Sequence, residues 1–210
     1  MWRILALTIG LLALWIAAAS PLAVLDHQLL TFHMAQHLLL MTVAAPLILL
    51  GAMSRLQGLG GLAAHPVFCW LAGTITVIAW HVPSLFELGM HSAPWHAFEH
   101  ATFFAAGMLF WWPVIQPWPS LARSPRWGVP LYLFLATLPC DALSAFLAFC
   151  GRVVYPHYLS AHRLFDISPL ADQECAGALM WVWVTFVYLA PAAVVTLRML
   201  SPQRQILKAV

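Results

Sequence analysis

His33-Met34-Ala35-Gln36-His37-Leu38-Leu39-Leu40-Met41 is the stretch on which the reading of this chain turns. It lies in an apolar run from Leu29 to Leu50 that is long enough for a membrane helix. Residues four apart on a helix lie one above the other. His33, His37 and Met41 therefore form one stripe, two imidazoles and a thioether, running inward from the helix start. At about 1.5 Å per residue, His37 lies roughly 12 Å below Leu29. An ionisable side chain at that depth is costly in hydrocarbon and points to a functional site by default. Two histidines at this spacing can share a metal ion. Neutral histidines hydrogen-bonded inside a bundle would leave the same pattern.

Working outward, the composition sets the class. The chain has 210 residues, 63% hydrophobic and 8% charged, and its mean hydropathy is +0.87. Soluble domains carry about 25% charged residues, so the expectation is an all-α polytopic membrane bundle. It would be a single integral membrane domain over 1–210. A net charge of +2 leaves no nucleic-acid footprint. Four cysteines without a CxxC pair give neither a zinc-ribbon nor a thioredoxin signature. About six spans are predicted: Trp2–Ala19, Leu29–Leu50, Pro66–Trp80, Trp95–Ile115, Val129–Cys150 and Gly177–Leu200. The first also has the look of a signal peptide, with small residues after a short apolar core; a retained helix is the favoured reading.

Loop arginines and lysines orient the bundle. Arg3, Arg55, Arg123, Arg126, Arg198, Arg204 and Lys208 fall on one side, whereas Arg152 and Arg163 fall in the loop between spans five and six. Both termini are thus expected in the cytoplasm. On that topology His27, His33, His37, His81, His91, His96, His100, His157 and His162 all lie on the outer half, and His65 alone on the inner. Histidine is rare within membrane spans, and scatter would not segregate it in this way.

His96 and His100 repeat the four-residue spacing on another helix, and His81 enters from the third. Five imidazoles could converge on one outer cavity. Glu99 lies between His96 and His100 in sequence but about 100° from His100 on the helical wheel. Imidazole suits copper, zinc, iron and nickel, while thioether selects Cu(I), so copper is the expected metal. Met34, Met41, Met90 and Met180 are placed to contribute, although core filling is the ordinary role of methionine. A bis-histidine b-type haem is the alternative, with His33 or His37 opposite His100. A copper importer is the third possibility. Asp141 stands near mid-membrane beside Cys140, in either a hydrogen-bonding or a proton or copper role. Cys150 and Cys175 share the outer face, where a disulfide is conceivable in an oxidising compartment.

The motifs resemble a known family. Ser20-Pro21-Leu22 with Asp26, then His33-Met34-Ala35-Gln36-His37-Leu38-Leu39-Leu40, Pro46 and Gly51, look like the opening of the polytopic CtaG family of cytochrome c oxidase assembly factors. Trp80-His81-Val82-Pro83, His96 with Glu99-His100, and Asp172-Gln173 with Gly177 and Met180-Trp181 extend the likeness along the chain. The resemblance implies a non-enzymatic protein of the bacterial inner membrane that stages Cu(I) for a haem–copper oxidase. It implies His33, His37, His81, His96, His100 and Asp172 as functional positions, to which the stripe adds Met41. The expected partner is an oxidase subunit or a periplasmic copper chaperone, and a homo-oligomer is left open.

Overall fold

The computed structural model describes residues 1–52, 65–115, 127–161 and 165–201. All regular secondary structure among them is helical. Helix α1 (Trp2–Ala19) buries Ala6, Gly10, Ala13 and Ala17 and turns its larger apolar side chains outward. A 3₁₀ turn (Pro21–His27) leads into α2 (Leu30–Ala52). Helix α2 is not uniform: Leu39–Ala44 is wound as a π-helix, with Pro46 following in the next turn. Proline lacks an amide proton and crowds the turn before it, so the i→i−4 ladder cannot run through unchanged.

Helix α3 (Pro66–Trp80) ends at His81, where the chain bends by 75° into α4 (Pro83–His91). Val82 is extended, as the residue before a proline prefers. Helix α5 (Ala93–Ile115) returns across the bundle. Helix α6 (Gly128–Phe149) ends at Cys150, and Gly151 turns the chain at φ +65°. A short helix α7 (His157–Ser160) precedes α8 (Pro169–Leu200). Ser168 caps α8 by accepting from Ala171 N–H at 3.1 Å, with Pro169 in the first turn.

Helices α6 and α8 form the most extensive pairing. Gly177 makes it possible: a Cβ there would lie 2.7 Å from Ala148 N and 2.8 Å from the Ser144 carbonyl. Small residues at such crossings let membrane helices approach backbone to backbone. The outer surfaces of these helices carry exposed Phe134, Leu138, Phe149, Phe186 and Leu197, a surface suited to lipid rather than water.

Among the described residues, α1, α2, α6 and α8 are long and apolar enough to cross a membrane. The bent pair α3–α4 would be a fifth span. Helix α5 has the length, 23 residues, but His96, Glu99 and His100 dilute its apolar character. Three sequence expectations are corrected. The segment after His81 is helical from Pro83 instead of a plain loop. The last helix begins at Pro169, eight residues before the expected Gly177, because Ser168 and Pro169 supply a start signal. The Cys150–Cys175 disulfide is not formed: Cys175 is exposed, and the Cys150 thiol donates to the Arg152 carbonyl at 3.1 Å. His162 and most of the orienting loop cations fall outside the described residues.

Candidate metal centre

The first turns of α2 and α5 lie against each other at one end of the bundle. On α5 the residues at 96, 99, 100 and 103 share a face about 100° wide. That face carries His96, Glu99, His100 and Phe103, and α2 presents His33 and His37 to it. Glu99 Oε1 lies 3.4 Å from His33 Nε2 and 3.3 Å from His37 Nε2. One carboxylate oxygen thus bridges the two imidazoles. Beside it, Asp26 Oδ2 of the 3₁₀ turn lies 3.1 Å from His96 Nε2. Two groups result, His33–His37–Glu99 and Asp26–His33–His96, each with its ligand atoms within 4.8 Å of one another. His33 belongs to both.

The rings pack closely. His33 and His37 have centroids 4.3 Å apart, as do His96 and His100. His37 and His100 are 5.6 Å apart, and His33 stacks toward His96 at 5.7 Å. Phe103 stacks on His37 at 3.9 Å and Phe86 lies 5.0 Å from His33, closing the apolar walls. Toward the surface the series continues through His27, 5.3 Å from His96, to His157 and His91. Side-chain exposure falls from 71% at His91 to 0% at His33.

Many of the polar atoms in this cluster are buried without a hydrogen-bond partner. Both oxygens of Asp26 and Glu99, both ring nitrogens of His33 and His37, and Nε2 of His96 and of His100 are in this state. The short nitrogen–oxygen separations are within ion-pair reach but miss hydrogen-bond alignment. Each unsatisfied buried group costs about 1–3 kcal/mol. Asp26 shows the pull of its neighbours: burial pushes its carboxyl up, yet His96, His33 and His27 more than offset this and hold it below the ordinary value. His27 goes the other way. Burial lowers its pKa against the raising effect of Asp26, helped by His96 and His157.

The supports of the cluster come from far along the chain. Both oxygens of Asp172 on α8 are engaged at the start of α2, accepting from Leu30 N–H at 2.7 Å and Thr31 N–H at 3.1 Å. The Thr31 hydroxyl adds a bond of 2.7 Å to Oδ1. These amides are orphans of the first helical turn, so the carboxylate caps α2 from another helix. The next residue, Gln173, accepts from Val154 N–H at 2.7 Å and donates to the Arg152 carbonyl at 3.0 Å. It pins the segment that lays α7 over the cluster, where Tyr158 O–H donates to the Asp26 carbonyl at 2.6 Å.

The sequence-predicted positions therefore divide. His33, His37, His96 and His100 come together. His81 stands apart from both groups, with Nε2 3.2 Å from Met34 Sδ. Met41 lies beside His37 on the wall of an adjoining cavity, which Met34 and His81 also line. Asp172 is not in either group. Nor is Asp141, which accepts from the Thr185 hydroxyl at 3.5 Å. Sequence reasoning missed Glu99 and Asp26 as members. The signal for Glu99 was present in the face formed by 96, 99, 100 and 103.

Residues 1–201 match the family model described as cytochrome c oxidase caa3 assembly factor (Caa3_CtaG). The chain belongs to the Caa3_CtaG family. Comparison with curated proteins and with solved structures yields no match. Membership makes this an oxidase assembly factor by family, and its several apolar helices fit a membrane location. Among the described residues of this Caa3_CtaG protein, the imidazole–carboxylate cluster between α2 and α5 contains the groups of three that could hold a metal ion.

Proposed function

We propose that this Caa3_CtaG protein binds copper at the His33–His37–Glu99 and Asp26–His33–His96 cluster and passes it to a cytochrome c oxidase subunit or a periplasmic copper chaperone. The observation that carries the reading is the set of buried carboxylate and imidazole atoms within 4.8 Å of one another, in ion-pair reach but without aligned hydrogen bonds. A cation would satisfy lone pairs on Glu99, Asp26 and the histidines at once, relieving the cost of burying them without aligned hydrogen bonds. Copper is favoured because imidazole is a good ligand for it and because the family serves a copper-containing class of oxidase. Staging needs binding and release by ligand exchange, with no catalytic step, so the protein is not an enzyme in this account. The graded histidine series from His91 through His157 and His27 supplies an approach from the surface.

The membrane arrangement follows from the same reading. Helices α3 and α5 join α1, α2, α6 and α8 as six crossings of the bacterial inner membrane, with both termini cytoplasmic. The cluster then faces the periplasm. A haem is less well served: a macrocycle must lie between its two axial rings, and the imidazoles here already contact one another at 4.3–5.7 Å.

Copper content of the detergent-purified protein tests the reading. Glu99→Gln removes the charge shared by His33 and His37 while keeping the shape, and should lower copper affinity at least about tenfold. Full copper retention by a folded Glu99→Gln protein would show the carboxylate to be structural.

A further inference from the structure

We infer that the protein holds a second metal site, selective for a soft monovalent cation such as Cu(I), formed by Met34 Sδ and His81 Nε2 beside the cavity that Met41 and Met180 also line. This site is distinct from the imidazole–carboxylate cluster and does not require that cluster to bind metal.

The key observation is a pair of donor atoms with no proton between them. His81 Nδ1 lies 2.7 Å from the Val77 carbonyl oxygen. A carbonyl only accepts, so Nδ1 carries the ring proton. Among the described residues His81 forms no ion pair that would hold a second proton on the ring. Nε2 then presents a bare lone pair, and it faces the Met34 sulfur at 3.2 Å. A thioether has no proton to give. Two lone pairs directed at one place are matched by a shared cation. Two ligands of one ion hold such a separation at bond lengths of about 2.0 Å to nitrogen and 2.3 Å to sulfur. The proton of Nδ1 on a backbone carbonyl is also the usual outer contact of a metal-bound histidine.

The surroundings suit a single ion. Met34 and His81 are both buried. The adjoining cavity is about 30 Å³, and its walls include His37, Met41, Cys140 and Met180. That is room for one water-sized occupant and no larger ligand. Thioether sulfur is a poor ligand for hard ions and selects Cu(I). Two helices supply the site. His81 stands at the bend that ends α3, and Met34 and Met41, seven residues apart on α2, share one helical face on the cavity. His37 borders both this cavity and Glu99, so the two places adjoin.

Silver(I), a redox-inert analogue of Cu(I), is the probe, titrated into the full-length protein in detergent against a competing chelator. Zinc(II) is titrated in parallel as a probe of the carboxylate cluster. Met34→Leu conserves volume and should weaken Ag(I) at least about tenfold while leaving Zn(II) unchanged, which also reports that the variant is folded. Glu99→Gln should do the reverse. With ¹³C-methyl methionine in the wild-type protein, Ag(I) should shift the Met34 resonance first. Failure of wild-type protein to bind Zn(II) would remove support from the carboxylate cluster and leave this site standing. Ag(I) affinity within twofold of wild type in Met34→Leu, or an unmoved Met34 methyl at saturation, would overturn it.

Discussion

Asp172 and Gln173 are neighbours in sequence whose side chains tie down different segments. Asp172 ties the first turn of α2 through two backbone amides and the Thr31 hydroxyl, which holds His33 and His37 in phase with Glu99. Hydrogen bonds to a charged group contribute roughly 1.5–3 kcal/mol. Asp172→Asn keeps the shape but turns an amide N–H₂ toward a backbone donor. It should lower the thermal unfolding midpoint by an amount corresponding to about 1–3 kcal/mol, with the copper stoichiometry unchanged. Loss of copper without loss of stability would instead make Asp172 a ligand, the role suggested by family resemblance alone. At this scale the sequence was partly legible. The i, i+4 histidine pairs are visible on any helical wheel. Glu99 lies about 100° from His100 on that wheel, yet the partner helix covers the whole arc from His96 to Phe103.

At the scale of the element, α2 keeps one face toward its partners through a change of winding. Met34, His37, Leu38, Met41 and Thr42 line one cavity at the spacing of a regular helix, although Leu39–Ala44 is wound as a π-helix. Its backbone is steadied by α5: Trp111 Nε1 donates to the Met41 carbonyl at 3.0 Å. Gly107 permits this approach, since a Cβ there would stand 2.8 Å from the Met41 carbonyl oxygen and 2.9 Å from its Cα. Backbone cannot yield as a side-chain tip can. Gly107→Ala should therefore push α2 and α5 apart and destabilise the protein by about 1–3 kcal/mol, measured by thermal unfolding in detergent. Copper binding should weaken as well, because the cluster spans the same two helices. An unchanged melting profile would mean that the helices meet less closely than this packing requires. For the long last helix, Ser168 and Pro169 were readable start signals, but hydropathy alone placed the beginning at the more apolar Gly177.

Across the whole molecule, composition and hydropathy were enough for the class and for the positions of α1, α2, α3 and α6. They were not enough for the bend at His81 or the helix α4, since these depend on how a proline turn packs under the Tyr155–Tyr158 segment. Segregation of the histidines toward one end was legible from span order alone, and the structure gathers His27, His33, His37, His91, His96, His100 and His157 into one connected series. His65 stands at the N-cap position of α3 without a side-chain capping bond, a helix length away from His81. That contrast provides the most direct test of copper binding at the cluster. Copper bound per protein should be measured for wild type, His37→Ala and His65→Ala, each folded and at matched concentration. Loss of a shared ligand should lower the affinity of His37→Ala at least about tenfold, while His65→Ala binds copper as wild type does. Equal copper occupancy in all three proteins would contradict a metal centre between α2 and α5.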